Sequence, residues 1–213
     1  MSSPTETGLP GRRRQAAQND QVILDAAREV FLADPKAPVA AVAKRAGVGI
    51  SALYRRYPGK EDMLRRLCHD GLRHYIAEAE AALEEADAWA GFTRFLERVV
   101  EADVHSLTVH LAGTFTPTPE MFEDSQRAAG LAQDLVDRAR QSGRLRADAV
   151  VEDLGLVLEG CAAIRVPDAG RTRELRRRVL AMMVESLGQS GAPDLPGPPP
   201  NGTDFAWRWQ QRP

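Results

Sequence analysis

The sequence predicts an all-α chain in two parts: an N-terminal three-helix unit built on a helix-turn-helix, and a larger helical unit after it. Three observations carry that reading. Apolar residues recur at three- and four-residue spacing along most of the chain, and the period-two alternation of strands appears nowhere. A glycine at 47 divides two short apolar-faced segments, and a proline at 58 stops the second. Charge splits along the chain as well. Residues 1–66 hold 12 Lys/Arg against 7 Asp/Glu, whereas residues 67–213 hold 16 against 23. A basic first third with an acidic remainder suits a protein that approaches nucleic acid by one end.

Residues 1–18 are polar, with Pro4, Gly8, Pro10 and Gly11 ahead of Arg12, Arg13 and Arg14. They read as a flexible basic arm, which either reaches phosphates or the minor groove or stays a solvated tail. Asn19 or Asp20 is placed to cap the first helix, whose stripe is Val22, Ile23, Ala26, Ala27, Val30 and Phe31. Asp34 and Pro35 end it. Pro38 falls in the first turn of the next helix, where proline is tolerated. There Val39, Val42, Ala43 and Ala46 form one apolar face, and Gly47 follows at the position where a helix ends left-handed. A second short helix runs from about Gly49 to Tyr57.

That second helix carries Ser51, Tyr54, Arg55, Arg56 and Tyr57, side chains able to meet phosphates and base edges. Leu53 and one of the two tyrosines are expected to face the first helix, and the other tyrosine to face outward. Lys60 opens a helix of about six turns, with Glu61 and Asp62 opposing the positive end of its dipole. Its stripe runs from Leu64 through Leu67, Cys68, Leu72, Tyr75, Ile76 and Ala79 to Leu83, long enough to join both halves of the chain. Further helices are expected at about 88–111, 119–142, 148–165 and 171–188. Residues 189–213 form a Pro/Gly-rich tail, expected to be mostly disordered, with Phe205, Trp207 and Trp209 as possible anchors.

Residues 19–67 resemble the DNA-binding domain of the tetracycline-repressor (TetR) family of bacterial transcriptional regulators. The matching pieces are Ile23 to Phe31, Val42 to Val48 and Leu53 to Glu61. The resemblance implies a DNA-binding head at 19–66 and a ligand-binding and dimerisation domain at 67–188. It implies that Tyr54 and Tyr57 contact the DNA backbone and that Lys60 offers its ammonium and helix-start N–H to a phosphate. Double-stranded DNA, a second copy of the chain and a small-molecule effector follow as partners. In such a dimer, the two recognition helices need a spacing of about 34–36 Å. A ligand favouring another spacing would release the DNA. This chain has Gly49, Ile50, Ser51 and Ala52 where many members have Ser, Lys, Gly and Thr, and Pro38 where a capping threonine is common. Those departures keep open an alternative, a helical small-molecule-binding dimer whose head is silent on DNA.

The remaining expectations concern the second unit. Phe92, Phe95, Val99, His105, Phe115, Phe122, Leu135 and Leu158 are either plain core or the wall of a ligand pocket. By analogy with the family, the last two helices would bundle with their copies, and Val151, Leu154, Leu158, Leu175, Val179, Met182, Met183 and Leu187 are candidates for that dimer seam or for the adjoining core. The arginines at 171, 173, 176, 177 and 178 read as a solvated face with pairs such as Arg178 with Glu174. His69 and His74 are five residues apart, as are His105 and His110, which is not the four-residue spacing of a helical metal pair, so no metal is expected. Cys68 and Cys161 read as buried thiols. No phosphate loop, nucleophile motif or paired-carboxylate spacing points to an enzyme, and no cofactor is expected. Without an apolar run of about 20 residues or a secretory leader, the chain reads as cytoplasmic and away from the membrane.

Overall fold

The computed structural model describes residues 10–188 and 191–204, with side chains from residue 19 onward. Among the described residues every regular element is an α-helix: α1 Pro10–Ala33, α2 Val39–Ala46, α3 Ile50–Arg56, α4 Lys60–Leu83, α5 Ala88–Glu101, α6 Val104–Leu111, α7 Pro119–Gln141, α8 Asp153–Ala163 and α9 Ala169–Leu187. The chain divides into two compact units, Met1–Leu67 and Cys68–Pro213, and the division falls inside α4.

In the first unit, Phe31 from α1, Val42 from α2, Leu53 from α3 and Met63 from the start of α4 are fully buried. Burying each such side chain stabilises the fold by about 1.5–3 kcal/mol, a large share of what a unit this size can muster. Gly47 takes φ 68, ψ 28, and its N–H and that of Val48 turn back to carbonyls of the last turn of α2. Left-handed geometry is costly for a residue with a Cβ, so the glycine sets the sharp exit of the chain toward α3. Pro38 sits just ahead of α2 in extended geometry rather than inside its first turn, and it supplies no side-chain cap.

α1 begins at Pro10, well before the expected start at Asn19 or Asp20. Arg12 to Ala17 are good helix formers, and proline is accepted in a first turn, so the backbone winds through part of what reads as an arm. Residues 1–9 lie outside the described residues.

The second unit packs around α5. Phe92, Phe95, Leu96 and Val99 are at most 1% exposed and meet Leu135, Val136, Leu154 and Leu158 from α7 and α8. Tyr75 stands edge-on to Phe95 at 4.9 Å. Gly91 is required where α5 crosses the end of α4, since a Cβ there would lie 2.4 Å from the Ala82 carbonyl oxygen. Asp87 caps α5 by accepting from Trp89 and Ala90, and Thr118 caps α7 by accepting from Met121.

Three expectations are corrected here. The single helix at 88–111 is two helices, because Asp103 adopts φ 53 between them. The arginine run on α9 is not wholly solvated: Arg176 is buried, with Nη1 donating to Asp103, Nε to Ile164 O at 3.0 Å, and Nη2 to Ala162 O and Ser106 Oγ, each at 3.3 Å. Glu174 pairs with Arg171 rather than with Arg178. Three consecutive arginines on a helix point three ways, and one of those ways is inward. The described part of the tail, in turn, has fixed partners. Buried Arg146 pairs with Asp148 and donates to Pro193 O at 2.5 Å, while Asp148 accepts from Leu195 N–H at 2.6 Å. Phe205, Trp207 and Trp209 lie outside the described residues. Both cysteines are buried free thiols.

Candidate nucleic-acid interface

The geometry of α3 sorts its side chains into two sets. Leu53 and Tyr57 lie four residues apart and share the inner face, at 0% and 7% exposure. Ser51, Tyr54 and Arg55 lie on the other side, all exposed, with Tyr54 at 50%. The helix contains no acidic residue, so that outer face offers one hydroxyl, one phenol and one guanidinium with no intrahelical carboxylate to compete for them. Ile50, 40% exposed, stands at its first turn.

Three of the expected contacts are placed differently. Tyr57 turns inward and its OH donates to Asp20 Oδ1 at 2.6 Å. Burial first, and the Asp20 carboxylate second, push its phenol well above the usual tyrosine value, so it stays a neutral donor. Arg56 is at the surface, but its Nε donates to the same Asp20 oxygen at 2.5 Å. Lys60 is engaged by the fold itself: its Nζ donates to Pro35 O at 2.6 Å and Ala37 O at 2.9 Å, and sits 5.1 Å from the centre of the Phe31 ring. Burial holds its ammonium below the ordinary lysine value. The cause is the same in all three cases. The α1–α2 connection and the N-terminal part of α1 pass beside the start of α4 and the end of α3, and supply acceptors that these donors take. Asp20, which reads in sequence as a helix cap, is the residue that sequence reasoning missed.

In the second unit, two cavities share Val99 and His105. The larger, about 180 Å³, is lined by Leu72, Tyr75, Val99, Val104, His105, Thr108, Ala128 and Ala129. The smaller, about 10 Å³, also touches Leu158, Cys161 and Arg176. Of the expected wall, Val99, His105 and Leu158 reach a cavity. Phe92, Phe95 and Leu135 are packed in the core, Phe115 is buried, and Phe122 is 62% exposed, turned outward on α7. His105 Nε2 meets Glu159 at 2.9 Å, and Tyr75 is held near pKa 12 by its burial. His69 Nε2 meets Asp124 at 2.7 Å. Among the described residues no three ligating side chains converge on a point where a metal would sit.

The expected seam on α8 and α9 also divides. Leu154, Leu158 and Leu187 are 4–7% exposed and pack in the core of their own chain. Val151, Leu175, Val179 and Met183 are partly buried. Met182 is 57% exposed, and Leu156, which the sequence reading passed over, is 47% exposed. A groove of about 190 Å³ opens on this side, lined by Leu156, Val157, Met183, Leu187 and Leu195 among others. One apolar period on a helix gives two possible inward faces, and only packing decides between them. Among the described residues no helix is long and apolar enough to cross a membrane.

A glycine-turned helix-turn-helix is a motif by which proteins present a helix to the DNA major groove, and here it is followed in the chain by a second helical unit. Residues 23–67 match the family described as bacterial regulatory proteins, tetR family. That match covers the N-terminal helix-turn-helix unit and the start of α4. It is 40% identical over 106 residues to the HTH-type transcriptional repressor LfrR of Mycolicibacterium smegmatis, an alignment that covers 49% of this chain and 51% of that protein. The match therefore spans about half the length of this curated relative. Two solved structures extend the likeness in fold. The regulator PfmR of Thermus thermophilus aligns with TM-score 0.61 at 21% identity, over 78% of this chain and 99% of that one. LfrR of Mycobacterium smegmatis in complex with proflavine aligns with TM-score 0.59 at 21% identity, over 85% and 99%.

Proposed function

We propose that this chain is a transcriptional regulator, most simply a repressor, that binds duplex DNA as a homodimer and releases it when a small molecule enters its helical unit. The observation that carries the reading is the outward face of α3, with Ser51, Tyr54 and Arg55 exposed on a helix fixed from behind by Leu53 and Tyr57. A rigid helix with an acid-free polar face is what major-groove reading requires, and one such head covers too few base pairs to be selective alone. Two copies related by a two-fold axis would read a palindrome. Exposed Leu156 and Met182 on α8 and α9 support that side as the seam.

Ligand binding is supported by the cavity beside Tyr75, His105 and Thr108, a largely apolar groove with a few polar groups. That the relative LfrR has been solved with proflavine supports a small organic effector here too. Linkage sets the scale: a coupling of about 1–3 kcal/mol between ligand and DNA changes operator affinity about 5–150-fold.

Selection of bound sequences from a random duplex pool at about 0.15 M salt tests this, because screening at that ionic strength suppresses weak electrostatic binding. An enriched palindrome is expected. A folded dimer that enriches nothing would favour the alternative, a small-molecule-binding protein with a silent head, for which Gly49, Ile50 and Pro38 in place of the family's usual residues are the supporting observation.

A further inference from the structure

Asp20 stands on α1, 36 and 37 residues before the two side chains it joins at the end of α3. One of its oxygens, Oδ1, accepts from Arg56 Nε at 2.5 Å and from Tyr57 OH at 2.6 Å. The arginine and aspartate side chains are 36% and 26% exposed, so the pair lies at the rim of the head and not in its core. A guanidinium meets a carboxylate much as it meets a phosphate, by charge-assisted hydrogen bonds of similar length. A DNA phosphate arriving at Arg56 therefore has to compete with an anion already in place. Tyr57 adds a second donor to the same oxygen and fixes the carboxylate where it stands.

We propose that Asp20 is an internal stand-in for a DNA phosphate: it occupies Arg56, withholds that arginine from the duplex, and so lowers binding to DNA of any sequence while fixing the end of the recognition helix. The inference rests on the DNA-binding reading above. Asp20 is a positioning residue in this account, acting through Arg56. Reading then falls to the exposed Ser51, Tyr54 and Arg55. Since the contact it suppresses carries no sequence information, its effect is on selectivity: removing it raises the affinity for all sequences together and narrows the margin between operator and bulk DNA.

Counterion release makes this measurable. Each phosphate neutralised adds about 0.9 to the slope of log affinity against log salt on duplex DNA. The experiment is a salt titration of the full chain on a mixed-sequence duplex, followed by fluorescence anisotropy, for wild type, D20N and D20N/R56Q. Asparagine keeps an acceptor for the Tyr57 hydroxyl and drops the charge, and helix content by circular dichroism checks that each variant folds. D20N is expected to bind more tightly at low salt with a slope steeper by about 0.9 for each protomer engaged. The double variant, lacking the released guanidinium, is expected to return to the wild-type slope. An unchanged D20N slope overturns the proposal and leaves the DNA-binding reading standing. A slope that stays steep in D20N/R56Q also overturns it, since the effect would then be the lost negative charge and not Arg56. Absence of binding by all three proteins at every salt concentration removes the DNA-binding reading and the proposal with it.

Discussion

Truncating Arg176 is expected to destabilise the second unit far more than truncating its neighbour Arg177. Arg176 has a side chain only 5% exposed and joins three places in the fold: Asp103 at the α5–α6 break, Ser106 on α6, and the carbonyls of Ala162 and Ile164 at the end of α8. Arg176→Ala removes the guanidinium from the Asp103 carboxylate and the donor from two carbonyls. Breaking a buried pair in this way costs about 3–5 kcal/mol. Asp103 is 29% exposed, so water restores part of its loss, and the lower end, about 3 kcal/mol, is the expected figure. For a unit of this size each kcal/mol moves the midpoint by about 2–4 °C, giving a drop of roughly 6–12 °C. Arg177 pairs with Glu101 at 2.6 Å, but the two side chains are 61% and 48% exposed. An exposed pair contributes at most about 1 kcal/mol, so Arg177→Ala should move the midpoint by no more than a few degrees. Thermal denaturation followed by circular dichroism, with the two variants side by side, decides it. Equal midpoints for both would refute the view that Arg176 ties α9 to the α5–α6 corner.

Three other outcomes follow from the same structure. Gly47→Ala should cost about 1–2 kcal/mol through backbone geometry alone, because an added Cβ meets nothing within 4 Å; chemical denaturation that shows no change would contradict the left-handed turn. Leu156→Asp with Met182→Asp should leave the chain folded and shift its mass by light scattering toward that of one copy, whereas Leu158→Asp should unfold the second unit by burying an unpaired charge. The reverse pattern would place the seam on the other side of α8. Asp148 is held at about 2 by the Arg146 guanidinium first and the Leu195 N–H second. With a folded value below the ordinary 3.8, its contribution is fully present above that ordinary value and is lost as pH falls toward 2. Hydrogen exchange at the Leu195 amide should accordingly be slow in the wild type at neutral pH and accelerate in Asp148→Ala. Equal rates would mean that the carboxylate does not hold the tail.

The parts of this protein that were legible in the sequence are those fixed by neighbours in the chain. Gly47 and Pro58 punctuate the helix-turn-helix because left-handed geometry and a missing N–H are local facts, and the inward pair of Leu53 with one tyrosine follows from a four-residue step. Residues whose fate depends on distant partners were not legible. Tyr57 and Lys60 look like donors waiting for phosphate, yet their acceptors are Asp20 and the carbonyls of Pro35 and Ala37, 23 to 37 residues away in sequence. The stripe on α8 gave both Leu158, which packs inward, and the neighbourhood of Leu156, which faces out, and periodicity alone does not distinguish the two sides of a helix that is apolar nearly all round. The break at Asp103 left no glycine or proline to betray it; what holds it is Arg176, 73 residues on.

The most direct test of the central claim is the affinity of wild type and of Tyr54→Ala/Arg55→Ala for a duplex enriched from the random pool. Both side chains point away from the core, so circular dichroism should show an unchanged fold. A loss of at least about fivefold is expected for each residue removed, in line with about 1–3 kcal/mol per specific contact. Equal affinity of the folded double variant and the wild type would contradict the assignment of the outer face of α3 as the DNA-reading surface.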